Sequence, residues 1–268
     1  MRFTTYGTSA STPIPAPFCT CPVCEHARRA GGREIRSRHM SMIDGDIQID
    51  LPPDYLYHIH TLGADPRGVR HLLLTHTHSD HFTPGFLNLR CPPHRQADIP
   101  PLILYCSPDT AKIVKEKMPD FPGTRGIAMR PLDLFVPFSL DARTQITALP
   151  ANHMTGACLY LIERGGKRIF YGHDTAMPPD SVFDYLTGKR LDLVSLDCTD
   201  ACAQAGPIHM NIAQCNAAVS RLCAGGAANA DTAVVYSHFS HTGQATHARL
   251  CAMAQGWIPA YDGMTIDL

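Results

Sequence analysis

The stretch Thr75-His76-Thr77-His78-Ser79-Asp80-His81 decides the fold. It follows an apolar run at 69–74, carried by Val69, Leu72, Leu73 and Leu74, whose length suits a short buried strand. In extended backbone, side chains two apart project to the same side, so His76 and His78 converge on one point. A turn after His78 then carries Asp80 and His81 toward a neighbouring point. Imidazole mixed with carboxylate is a ligand set for zinc, manganese or iron(II). Four ligand-type residues in six positions are too dense for an ordinary polar loop.

Further ligand-type residues stand just past later apolar runs. His153 follows the run at 146–152, Asp174 follows 167–171, and His238 follows 232–236. Functional groups on layered folds gather at such strand ends. Other histidines fit this pattern less well. His58 and His60 imitate a His-x-His pair, but no carboxylate or further histidine follows, so packing or surface roles are expected. His173 should point away from Asp174 at an extended strand end. His39 lies beside an arginine-rich stretch at 33–38, expected to be a solvated basic face, and His247 is expected on a helix surface.

The rest of the chain reads as mixed strands and helices. Runs at 157–163 and 167–171 flank Gly165 and Gly166 as a hairpin. Runs at 191–196 and 232–236 suit buried strands. Helices are expected at 107–118, after Ser-Pro-Asp, at 211–223, with Asn211 as cap, and at 245–255. The pattern points to a layered α/β or α+β fold. No internal repeat or long linker divides the 268 residues, and one domain over 1–268 is expected.

Composition narrows the function classes. Twenty-three basic and 24 acidic residues leave a net charge of -1, which supplies no global attraction for nucleic acid or anionic membrane. No apolar run approaches the ~20 residues of a membrane helix, and Met1 to Gly7 carry no export-signal core. Eleven cysteines without an export signal are expected to be cytoplasmic thiols or metal ligands rather than a disulfide framework. Cys19, Cys21 and Cys24 have the spacing of three corners of a tetrahedral zinc site. From spacing alone they are either such a site, completed by a distant residue, or free thiols. Cys198 and Cys202 show no ligand pattern and read as small buried residues.

The box at 76–81, followed by His153, Asp174 and His238, resembles the metallo-β-lactamase superfamily. The resemblance implies an α/β fold of the αβ/βα sandwich type, with two mixed β-sheets face to face and helices outside. It further implies two catalytic divalent metals, Zn2+ or Mn2+. His76, His78 and His153 would hold one; Asp80, His81 and His238 the other; Asp174 would bridge them together with a hydroxide. Asp50 matches a family aspartate that supports the site from behind, although Leu51-Pro52-Pro53 follows where many relatives turn on glycine.

The segment at 18–29 is also similar to one in the PhnP-type phosphodiesterases of the carbon–phosphorus lyase pathway, which act on cyclic ribose phosphates. In that group three cysteines and a histidine bind a structural Zn2+. The resemblance therefore gives Cys19, Cys21, Cys24 and His241 to one structural zinc, with a zinc-binding loop at 18–25. A closed Cys3His set leaves no open coordination position, as in structural sites. His209, before the helix at 211–223, matches a histidine above the metals in these relatives and is the candidate general acid. The expected activity is a metal-dependent phosphodiesterase for small nucleotide or sugar phosphodiesters, cyclic ones included. A lactone or ester hydrolase and a non-hydrolytic carrier in cofactor biosynthesis are the alternatives. Neither large nucleic acid nor a membrane is expected as partner, and a homodimer is compatible with this reading.

Overall fold

The computed structural model describes residues 1–94, 98–118 and 126–268. Short strands of β-branched and leucine residues build two sheets. Strands β1 (Arg2–Gly7), β2 (Met40–Ile43), β3 (Ile47–Ile49), β4 (His71–Leu73), β5 (Leu102–Cys106) and β6 (Ile127–Pro131) form most of the first. Strands β7 (Phe138–Ser139), β8 (Thr144–Pro150), β9 (Cys158–Arg164), β10 (Lys167–Gly172), β11 (Leu193–Asp197), β12 (Ala233–Ser237) and β13 (Ile258–Pro259) form the second, and β14 (Met264–Asp267) returns to the first. The orders are β14-β1-β2-β3-β4-β5-β6 and β13-β12-β11-β10-β9-β8-β7.

The two sheets face each other across an apolar layer. Ile43, Ile47, Ile49 and Leu73 meet Ile146, Tyr160, Ile162, Ile169 and Val235 there. Helices α1 (Pro22–Ala30), α2 (Tyr55–His60), α3 (Pro108–Lys117), α4 (Asp180–Leu186), α5 (Ile212–Ala224) and α6 (His247–Met253) complete the described fold. Val114 and Ala111 of α3 pack with Leu72 and Leu104 on the first sheet's outer surface. Leu186 of α4, Leu222 of α5 and Leu250 of α6 pack with Phe170, Leu196 and Tyr236 on the second. Buried on both surfaces, these strands read as continuous apolar runs rather than alternating ones. The architecture is the expected αβ/βα sandwich with mixed sheets.

Strand direction positions the site. β3, β4 and β5 run parallel, as do β10, β11 and β12, so their carboxyl ends lie along one edge of each sheet. The backbone N–H of Cys158 donates to Thr75 O at 3.0 Å and ties the two edges together.

Several local expectations need correction. Residues 22–30 are helical, so the cysteine segment is a loop only as far as Cys21, which caps α1 with Pro22 at its first position. Arg36 is buried, donating to Thr8 Oγ1 and Ala260 O, and Arg38 pairs with Asp54; the arginine stretch is not a solvated face. His247 is buried beside the Arg36 guanidinium, 3.0 Å from it, rather than exposed on its helix. Cys198 is buried as expected, whereas Cys202 is half-buried.

Candidate metal centre and active site

Five strand ends deliver the polar residues. Asp50 follows β3, Thr75 and His76 follow β4, Asp174 follows β10, Asp197 ends β11, and His238 follows β12. His153 stands in the turn after β8. Three of these residues adopt left-handed backbone: Asp50 at φ 64°, Asp174 at φ 55° and His238 at φ 61°. Non-glycine residues there cost free energy, Asp and His less than most, and such outliers concentrate at functional sites. Asp50 thus makes the turn itself, without the glycine that its Leu51-Pro52-Pro53 context lacks.

The side chains converge in overlapping groups. His76, His78 and His153 bring one ligand atom each within 4.8 Å of one another; so do Asp80, His81 and His238, and also His76, His81 and Asp174. His76 Nε2 and His153 Nε2 stand 2.9 and 3.1 Å from the same His78 Nδ1. Imidazole nitrogens aimed at one point at this spacing have no mutual hydrogen-bond pattern that serves all three, whereas a cation between them serves them together. His81 Nε2 lies 2.6 Å from Asp174 Oδ2 and 3.3 Å from Asp80 Oδ2, and His238 Nε2 lies 3.3 Å from Asp174 Oδ2. The donor set fits two divalent ions sharing Asp174.

Residues behind the cluster fix its tautomers. Asp50 is inaccessible; its Oδ1 accepts from the Thr75 N–H at 2.8 Å, and its Oδ2 meets His81 Nδ1 at 2.7 Å. A proton on His81 Nδ1 leaves the Nε2 lone pair toward the cluster, the usual outer partner of a ligating histidine. In the metal-free chain burial disfavours the His81 cation, but Asp174 and Asp50 outweigh it and hold the imidazole well above its ordinary value. Burial and the neighbouring His81 push His76 well below.

Asp197 is the residue that the motifs missed. Its Oδ2 accepts from His209 Nδ1 at 2.7 Å and from the Thr175 N–H at 3.1 Å. Its Oδ1 accepts from the Thr199 N–H at 2.9 Å and the Thr199 hydroxyl at 2.6 Å. The same hydroxyl lies 2.8 Å from His238 Nδ1 and fixes that ring too. Burial works against the His209 cation, yet Asp197 carries the imidazole up to about 9 in the metal-free chain. Asp197 ends an apolar strand just as Asp174 follows one, and that position is the signal by which it was legible. His209 itself packs 5.1 Å from the His153 ring and 5.7 Å from the His238 ring, centroid to centroid.

His173 turns away from Asp174's cluster as expected, donating to or accepting from Ser195 Oγ at 2.7 Å and stacking on the buried His39 at 4.2 Å. His58 is fully buried with its Nε2 2.8 Å from Ser37 Oγ, a packing role.

A second cluster lies beyond β12. Cys19, Cys21, Cys24 and His241 gather with ligand atoms within 4.8 Å of one another. Cys19 Sγ and Cys21 Sγ stand 3.5 and 3.6 Å from His241 Nδ1. Burial raises the Cys24 thiol to about 11; at Cys21 burial is outweighed by hydrogen bonds from the Cys24 backbone and His241, and the thiol falls to about 6. Three sulfurs and one imidazole without an open corner fit a tetrahedral zinc ion. A Cβ at Gly243 would lie 2.8 Å from Thr199 O, so glycine is what lets the His241 turn rest on the loop carrying Thr199.

Facing sheets with ligand clusters along their joined carboxyl edges define a metal-binding αβ/βα sandwich. The Beta-lactamase superfamily domain matches residues 48–239, and the chain belongs to that family. No curated protein matches the sequence. Among solved structures the chain is similar to a diphosphatase from the PhnP family, at 21% identity and TM-score 0.77, covering 100% of this chain and 97% of the other. It is similar to Zn2+-bound PqqB from Methylobacterium extorquens, at 19% identity and TM-score 0.73 over 100% of both chains. Human tRNase Z, short form, matches at 17% identity and TM-score 0.68, covering 100% of this chain and 99% of the other. At these identities the likeness is one of fold.

Proposed function

We propose that this chain is a dinuclear-metal phosphodiesterase for small nucleotide or sugar phosphodiesters, cyclic ones included. The observation that carries the reading is the His209–Asp197 pair, set at 2.7 Å beside the clustered ligands. His76, His78 and His153 would hold one divalent ion, Asp80, His81 and His238 the second, and Asp174 both. Bound there, such a pair supplies a nucleophilic water at neutral pH and polarises phosphoryl oxygens.

The chain's own residues do the rest. Asp50 and the Thr199 hydroxyl hold His81 and His238 with Nδ1 protonated and Nε2 turned inward. Asp197 accepts from His209 Nδ1–H, which leaves Nε2–H to protonate the departing alkoxide oxygen. Cys19, Cys21, Cys24 and His241 would hold a structural zinc that braces the loop after β12, three residues beyond His238.

The test is an assay of metal-replete protein on bis(p-nitrophenyl) phosphate, a 2′,3′-cyclic nucleotide, a ribosyl 1,2-cyclic phosphate and an acyl lactone. Turnover of the phosphodiesters is expected. Turnover of the lactone alone would overturn the reading in favour of an ester hydrolase. Tight retention of a small molecule without any hydrolysis would favour a carrier.

A further inference from the structure

An open cleft of about 560 Å3 adjoins the cluster on the side of His209. One of its walls is His153, and another is the segment 206–208 immediately before His209. His153 Nδ1 contacts Ile208 O at 3.4 Å, so the cleft and the metal ligands share a wall. Met154, Met177 and Ile208 line it with apolar surface, and Asn152 and Gln214 add amides. The size is within the ordinary range for small-molecule sites, which pair apolar walls with a few placed polar groups.

The cleft's charge is informative. Among the described residues that line it there is no lysine, arginine, aspartate or glutamate. Asp200 Oδ2 accepts from the Gly206 N–H at 2.7 Å, which places an anion behind the loop that forms the wall. One Asn152 Nδ2 hydrogen goes to Met177 O at 2.8 Å, leaving the other hydrogen and Oδ1; Gln214 Oε1 accepts from the Asn211 N–H at 3.4 Å, leaving the two Nε2 hydrogens to donate. The two amides thus offer the cleft uncharged donors and acceptors. A negatively charged group here would lose hydration without meeting a lysine or arginine on the cleft walls.

We infer that this cleft receives the leaving arm of the substrate, and that the arm is an uncharged, partly apolar alcohol. The inference rests on the phosphodiesterase reading. In that reaction water adds to phosphorus, the P–O bond to the arm breaks, and the arm's oxygen takes the proton of His209 Nε2, which a proton released from the water restores. The arm must therefore lie on His209's side, where the cleft is.

The experiment compares methyl 3-chlorophenyl phosphate with methyl 4-sulfophenyl phosphate, whose leaving phenols are of similar acidity but differ in charge. Metal-replete wild type should favour the uncharged ester by about tenfold in kcat/KM, carried by KM. Ile208→Arg, at an exposed wall position, and independently Met177→Lys should bring that ratio below about threefold with metal content unchanged. Equal turnover of both esters by wild type, or an unchanged ratio in both variants, overturns the inference and leaves the phosphodiesterase reading standing. No turnover of either ester overturns the inference, and if the 2′,3′-cyclic nucleotide is also left intact the phosphodiesterase reading falls with it.

Discussion

Asp197 accepts four hydrogen bonds, and one of them sets the orientation of His209. If His209 Nε2 protonates the leaving oxygen, its value depends on how much that oxygen needs a proton. His209→Ala should lower kcat on a cyclic alkyl phosphodiester by about 10²-fold or more, and on bis(p-nitrophenyl) phosphate far less. Equal losses on both substrates would remove His209 from the acid role. Away from the metals, burial holds His58 down to about 4, whereas the unfolded residue titrates near 6.5. The unfolded chain therefore takes up this proton first as pH falls. The contribution is full above about 6.5 and is lost toward 4, on the order of 3 kcal/mol in all and about 2 kcal/mol by pH 5. Urea unfolding at pH 7 and pH 5 should show wild type losing more stability than His58→Gln. The clustered histidines were legible because each stands in the box at 76–81 or just past an apolar run. Asp197 shares that strand-end position but lies outside the box, and the burial of His247 depends on residues distant in sequence that fold against it.

At the scale of elements, two short pieces hold the site's flanks. α5 begins directly after His209 with a capping box, in which Asn211 Oδ1 accepts from the Gln214 N–H at 3.0 Å and Gln214 Oε1 returns to the Asn211 N–H. Asn211→Ala should cost about 1 kcal/mol in urea unfolding. The other piece is the cysteine segment, where residues distant in sequence meet at His241. His241→Ala should lower metal content by about one ion per chain and lower the unfolding temperature, while the active-site ligands stay in place. Full metal content in that variant would show that His241 is not the fourth ligand. The cap on α5 could be read from Asn211 and Gln214 alone, because capping is local. Helix α1 could not: it is only nine residues long, and its apolar stripe is confined to Val23, Cys24 and Ala27, packed against Ile14 and Ile35.

Across the whole molecule, the facing sheets matter because they bring carboxyl ends of separate strand sets to one line. Apolar runs made the strands legible in the sequence and the resemblance gave two sheets, but the strand order came only from the structure, since periodicity does not specify partners. The same edge holds nine ligand-type residues drawn from residues 76 to 238, and the turn beyond β12 rests on the loop carrying Thr199. In the proposed reading this edge binds two divalent ions and the cysteine cluster a third. Elemental analysis of metal-replete, extensively dialysed protein tests it directly. About three ions per chain are expected, counted from the complete ligand sets. One ion per chain, lost on substitution of His241, would contradict the dinuclear centre.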